Sequence, residues 1–140
     1  MNIVVMSRRK AREYSDGKHG HQSVMISITD PGSCPNKVRK SADNGISDIL
    51  RLSFEDVDGE NGMSDADAAL VCNFVKKHIK DKDTELIIVH CEAGISRSAG
   101  TAAAILKYLT GSDSQIFNDM YYRPNIRCYR KVLSALYNSD

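Results

Sequence analysis

Apolar residues in this chain come in short dense runs, separated by polar stretches that carry glycine or proline. The runs follow two periods. Asn2–Met6 (Ile3-Val4-Val5-Met6), Ser23–Thr29 (Val24, Met25, Ile26, Ile28), Ile46–Phe54 around Ile49-Leu50-Arg51-Leu52, and Leu86-Ile87-Ile88-Val89 are compact, β-branched runs of strand length. Between them the spacing becomes helical. Arg8–Tyr14 predicts a short helix. Ser64 looks like an N-cap, with Asp65 and Asp67 suited to a first turn, ahead of Leu70, Val71, Phe74, Val75 and Ile79. Residues 97–109, with Ala99 and Ala102-Ala103-Ala104, read as a helix. Ser112 with Gln115 suggests a capping box before Ile116, Phe117 and Met120. Pro124 is expected to start a last helix, with Cys128, Val132, Leu133 and Leu136 on its apolar side. Residues 15–22, 30–44 and 55–63 read as loops, the second of them as a surface loop. Strands interleaved with helices predict an α/β fold, a central mostly parallel sheet flanked by helices.

The length of 140 residues allows a single core, so residues 1–140 are expected to form one domain. A net charge of +1 gives no global attraction to nucleic acid or to a membrane surface. The apolar run at residues 3–6 is too short for a signal-peptide core, and no run reaches transmembrane length. Cys34, Cys72, Cys91 and Cys128 show neither CxxC nor zinc spacing. Free thiols in a reducing cytoplasm are the expected state, with Cys34, Cys72 and Cys128 as core or half-buried thiols. His19 and His21 offer too few ligands for a metal, and no cofactor motif is present. Arg8, Arg9, Lys10 and Arg12 form a basic cluster after the first strand. It reads as a solvated helix face or as a rim attracting acidic partners.

One segment carries chemistry. His90-Cys91-Glu92-Ala93-Gly94-Ile95-Ser96-Arg97-Ser98 lies between a strand at about 85–90 and the helix at about 97–109. A strand, a tight loop and a helix N-terminus converge their amides and the positive end of the helix dipole on one point. Such a field favours an anionic group at its focus, and here the focus holds a thiol. Arg97 can grip two oxygens of a phosphate at once. A nucleophile inside a phosphate cradle suits phosphoryl transfer.

These residues resemble the protein tyrosine phosphatase superfamily, whose signature is His-Cys-x5-Arg-Ser/Thr. His90, Cys91, Gly94, Arg97 and Ser98 match its fixed positions. The chain looks most like the compact, dual-specificity-like branch, including small predicted phosphatases of bacteria and phages. The resemblance implies a Cys91 nucleophile, and phosphate binding by Glu92, Ala93, Gly94, Ile95, Ser96 and Arg97. It implies that Ser98 stabilises the departing thiolate and that His90 orients the loop. It also implies an aspartate acid some thirty residues before the cysteine. Leu52-Ser53-Phe54-Glu55-Asp56-Val57-Asp58 occupies that place, with Asp56 as first choice, Asp58 as the competitor and Glu55 third. The chain has no tryptophan and no proline at 52–58, so it departs from the Trp-Pro-Asp loop of the large tyrosine phosphatases. Arg123-Pro124-Asn125 resembles a family segment whose asparagine supports the loop.

The function expected is metal-independent hydrolysis of phosphotyrosine, and of phosphoserine or phosphothreonine, on a phosphorylated protein or peptide. A phospho-binding module without turnover and an RNA 5′-triphosphatase are the alternatives. Glu92, Ala93, Ile95 and Ser96 include no lysine and one carboxylate, which disfavours a highly charged inositide headgroup. Oligomeric state is open.

Overall fold

The computed structural model describes residues 1–140. Four strands, β1 (Asn2–Met6), β2 (Gln22–Thr29), β3 (Ile46–Ser53) and β4 (Thr84–His90), pair in the order β1-β4-β2-β3. Every pairing is parallel. The helices are α1 (Arg8–Asp16), α2 (Asp65–Ile79), α3 (Arg97–Thr110), α4 (Ser114–Phe117) and α5 (Ile126–Asn138). None is long and apolar enough to cross a membrane.

The pleat sorts the two central strands. Val24, Ile26 and Ile28 of β2, with Ile87 and Val89 of β4, face the main core, which α2, α3 and α5 complete through Val71, Val75, Ala102, Ile105, Val132 and Leu136. The alternate residues Met25 and Ile88 meet Ala11 of α1, Val38 and Ile46 in a smaller core on the other face. The same alternation sends His90 toward the small-core face and Cys91 into the main core. Helix α3 is buried continuously from Arg97 to Leu106, its polar Arg97, Ser98 and Thr101 included. Small residues permit this: a Cβ at Gly100 would collide with the Asn125 carbonyl of the segment entering α5.

Several local expectations need correction. The segment 30–44 is not simply a surface loop, since it buries Asn36, Val38 and Asn44. Arg51 ties it down by donating to the Asn36 and Val38 carbonyls at 2.8 and 2.6 Å. Asp113, not Ser112, precedes α4, and no capping box forms there. A four-residue helix leaves Gln115 no first turn in which to reciprocate, and Met120 is 97% exposed beyond it. Pro124 stands outside α5. Asn125 caps that helix, accepting the Cys128 amide on its side chain at 3.0 Å. Leu70 is exposed on α2, and Cys34 is exposed while Cys72 and Cys128 are buried. The Ser64 capping box is present in full, with Asp67 as its reciprocal partner.

Candidate active site

All four strands point their carboxyl ends the same way, so the segments after Met6, Thr29, Ser53 and His90 gather at one edge of the sheet. Open parallel sheets bind ligands at that edge. Here it holds the loop 91–96.

Most of the loop's carbonyls are spoken for. Glu92 O accepts the Arg8 amide at 3.0 Å, Ile95 O the Arg123 amide at 2.9 Å, and Ser96 O the amides of Gly100 and Asn125 at 2.9 and 3.0 Å. The amides of Glu92 through Arg97 donate to no backbone or side-chain acceptor. Gly94 makes the turn possible, with φ +73° and no room for a Cβ, which would sit 2.7 Å from the Met6 carbonyl carbon and the Ser7 nitrogen. Helix α3 begins at this loop without a side-chain cap. Ser96 stands at its N-cap position but donates its hydroxyl to Asp56 Oδ1 at 2.7 Å. Orphan amides at a helix start call for an acceptor, and an anion supplies one.

Arg97 adds charge at the same place. Its side chain is 5% exposed, and Nη1 is anchored by the Phe54 carbonyl at 2.7 Å and Asp30 Oδ1 at 2.8 Å. Nε is buried without any partner. An unpaired buried guanidinium nitrogen is costly unless a ligand completes it. Cys91 is buried at the same edge, with Sγ 3.0 Å from the Ser98 hydroxyl.

His90 secures the loop from beneath. Its Nδ1–H donates to the Cys91 carbonyl at 3.1 Å. Nε2 therefore accepts, from Ser27 Oγ at 2.6 Å and from Asn36 Nδ2 at 3.3 Å. Burial pushes its pKa down from 6.5 to about 4, so the ring is neutral at pH 7.

The two aspartates of the 54–58 segment part company. Asp56 lies against the loop, its Oδ1 also accepting from Asn125 Nδ2 at 2.9 Å. Its other oxygen has no partner. Asp58 is 68% exposed and turned to Arg130, 3.5 Å away. Asn125 thus does three things: it caps α5, supports the Ser96 carbonyl and holds Asp56. No group of three metal-ligating side chains converges anywhere in the chain.

No protein-family model matches this chain, and no curated protein matches its sequence. Solved structures do match. Human DUSP28 aligns at a TM-score of 0.63 and 16% identity, over 98% of this chain and 92% of its own. A mouse putative dual specificity phosphatase, solved with zinc tungstate, aligns at 0.63 and 16%, over 97% and 82%. PTPMT1 aligns at 0.57 and 18%, over 98% and 90%.

The chain has the dual-specificity phosphatase fold.

Within this phosphatase fold, His90, Cys91, residues 92–97, Ser98, Asp56 and Asn125 come together at one edge, and Asp58 stands apart. The sequence reading missed Asp30, Ser27 and Asn36. Asp30 directly follows a parallel strand, a position that marks ligand sites in open sheets and could have flagged it. Ser27 breaks the apolar run of β2 on the face it shares with His90, and the two stand opposite each other in register. Asn36 had no comparable signal, because its contact depends on how the loop 30–44 folds back. Arg8 joins the loop 91–96 to that same segment, pairing with Glu92 at 3.1 Å and donating to Cys34 O at 2.6 Å.

Proposed function

We propose that this protein is a metal-independent phosphomonoester hydrolase acting on phosphotyrosine, with phosphoserine and phosphothreonine as further substrates, through a Cys91 thiophosphoryl intermediate. One observation carries the reading. A buried thiol shares its site with a run of amides that have no acceptor and an arginine whose Nε has none. Those donors match the oxygens of a tetrahedral dianion, with a nucleophile beside them.

In the first step the Cys91 thiolate attacks phosphorus, the bond to the ester oxygen breaks, and Asp56 gives that oxygen a proton. Its free carboxylate oxygen suits the task, since Ser96 and Asn125 both occupy the other one. In the second step water attacks phosphorus, Asp56 takes its proton and the phosphorus–sulfur bond breaks. The Ser98 hydroxyl then donates to the sulfur as it regains its charge. Arg97 and the loop amides hold the equatorial oxygens throughout. His90 stays neutral and keeps the Cys91 carbonyl turned away from phosphate.

PTPMT1 has been solved with PI(5)P. The loop of the present chain has Glu92 and no lysine, which favours a phosphoprotein over an inositide. Cytoplasm is the compartment that fits the exposed free thiol of Cys34.

The test is hydrolysis of an aryl phosphate and of phosphotyrosine, phosphoserine and phosphothreonine peptides, with chelator and reductant present. Turnover by the wild type and none by Cys91→Ser, which still binds vanadate or phosphopeptide, is the expected result. Turnover by Cys91→Ser, or a strict metal requirement, would overturn the mechanism. Binding of phosphopeptide without turnover by the wild type would make the protein a phospho-binding module.

A further inference from the structure

Beside the phosphate loop lies a second recess, with a volume of about 370 Å³, lined by Arg8, Arg9, Arg12, Cys34, Lys37 and Glu92 among others. Four cations meet a single carboxylate there, and Glu92 is already neutralised by Arg8. Arg9 has only an exposed pairing with Glu13 on its own helix, at 3.2 Å. Arg12 and Lys37 are exposed and have neither an ion pair nor a hydrogen bond in the chain. The recess also sits at the start of α1, whose first turn contains no acidic residue.

The position of this charge is as informative as its sign. Glu92 follows Cys91 directly, so one wall of the recess is part of the phosphate loop itself. The recess next to the acid loop is of opposite character, lined by Asp30, Glu55 and Asp56. The rim of the site is therefore not uniformly basic. Positive charge is concentrated on the Glu92 side, held there by α1 and by the stretch 34–37, which Asn36 pins through the Arg8 carbonyl at 3.1 Å.

We propose that this recess is an anion subsite that recognises an acidic side chain flanking the phosphorylated residue of a peptide substrate, with Arg12 and Lys37 as its ligands. The inference rests on the phosphatase reading above. A carboxylate and a second phosphate group share the required chemistry, and both are met by unpaired guanidinium and ammonium groups. The acidic neighbouring recess makes the preference one-sided: an acid is favoured on one flank of the phosphoresidue and not on the other. Because the groups are exposed, the selectivity is moderate and falls with salt.

The experiment measures binding to Cys91→Ser by fluorescence anisotropy, so it does not depend on turnover. The probes are phosphotyrosine peptides with a single aspartate, or a single phosphoserine, moved through successive positions on either side, against an alanine-flanked control. A preference of about tenfold for an acid on one side, the upper size that two exposed charge contacts give, is expected. The phosphoserine peptides report whether the subsite prefers the second phosphate to the carboxylate. Arg12→Ala/Lys37→Ala should remove the preference, and Arg12→Glu/Lys37→Glu should invert it, while hydrolysis of a small aryl phosphate by the same variants on the Cys91 background stays at the wild-type rate. Loss of aryl phosphate hydrolysis in the wild type would sink the phosphatase reading and leave the binding comparison intact. Equal affinity for acidic and neutral flanks, or a preference that survives both double variants, would overturn the subsite. A 5′-triphosphate RNA and an inositide are run as further probes, and a loss of affinity in the double variants confined to either of them would overturn the peptide assignment.

Discussion

Lowering the pH from 7 to 4 should destabilise the folded chain chiefly through one buried ring. His90 has no exposed surface. Desolvation is the main cause that brings its pKa from 6.5 to about 4; the charges of Arg8 and Arg51 act in the same direction, against the Cys91 carbonyl and Glu92. Above pH 6.5 the ring is neutral whether the chain is folded or not, and the full stability is present. Between 6.5 and about 4 only the unfolded chain takes up the proton, so the folded state loses about 1.4 kcal/mol per pH unit, about 3 kcal/mol in all. Domains of this kind are stable by roughly 5–15 kcal/mol, so the loss is a large share. Asp48 falls outside this window. Burial raises its carboxyl, but the hydrogen bonds from His78 and Ile49 and the charges of His78 and Lys77 more than reverse that, leaving it below 3.8. Urea unfolding followed by circular dichroism at half-unit steps from pH 7 to 4 measures the slope. His90→Asn keeps a donor near the Cys91 carbonyl but cannot titrate. It should start less stable and lose stability with pH far more slowly than the wild type. Parallel slopes in the two proteins would refute the assignment of the acid-labile step to His90.

Five substitutions at and beside the site have further expected outcomes. Asp56→Ala should slow esters with poor leaving groups by about 10²-fold or more, and activated aryl esters much less. Asp58→Ala, which removes only an exposed pairing with Arg130, should leave both within a few-fold, and the reverse pattern in steady-state kinetics would move the acid by two residues. Arg97→Lys should lower kcat/KM by about 10²- to 10³-fold, because a point charge cannot replace the Nε edge, and unchanged kinetics would reject the cradle. Ser98→Ala should slow breakdown of the phosphoenzyme more than its formation, seen as a larger burst in rapid-quench experiments. Gly94→Ala should lose phosphate-analogue binding measured by calorimetry, since its φ of +73° and the Met6–Ser7 backbone leave no place for a Cβ.

What the sequence made legible was what has a local cause. The four strands, the Ser64 cap and the apolar run of α3 follow from period, turn chemistry and side-chain type, each within a few residues of one another. The turn between β4 and α3 was legible for the same reason, as nine contiguous residues. The different placement of Asp56 and Asp58 was not, because Asp56 is held by Ser96 and Asn125, which are distant in sequence. Loop 30–44 misled in the same way. Its few apolar residues hid the fact that Asn36 and Asn44 are buried for their hydrogen bonds, to His90 and to the carbonyls of Ser15 and Arg39. The thiols show the limit from another side. Burial pushes Cys128 up to about 12, which keeps it protonated and makes it a poor partner for an oxidised Cys91, a property that spacing could not reveal.

Under the proposed mechanism, the grip of Ser96 and Asn125 on Asp56 has a kinetic meaning. A carboxylate on a free loop must be ordered anew in every catalytic cycle, and that search enters the barrier each time. Here the ordering happens once, when the chain folds, and the hydroxyl doing part of the holding belongs to the phosphate loop itself. Acid and cradle then move as one body. The rate of such a site should follow the pKa of the leaving group and be insensitive to solvent viscosity, the mark of chemistry that does not wait for a door to close.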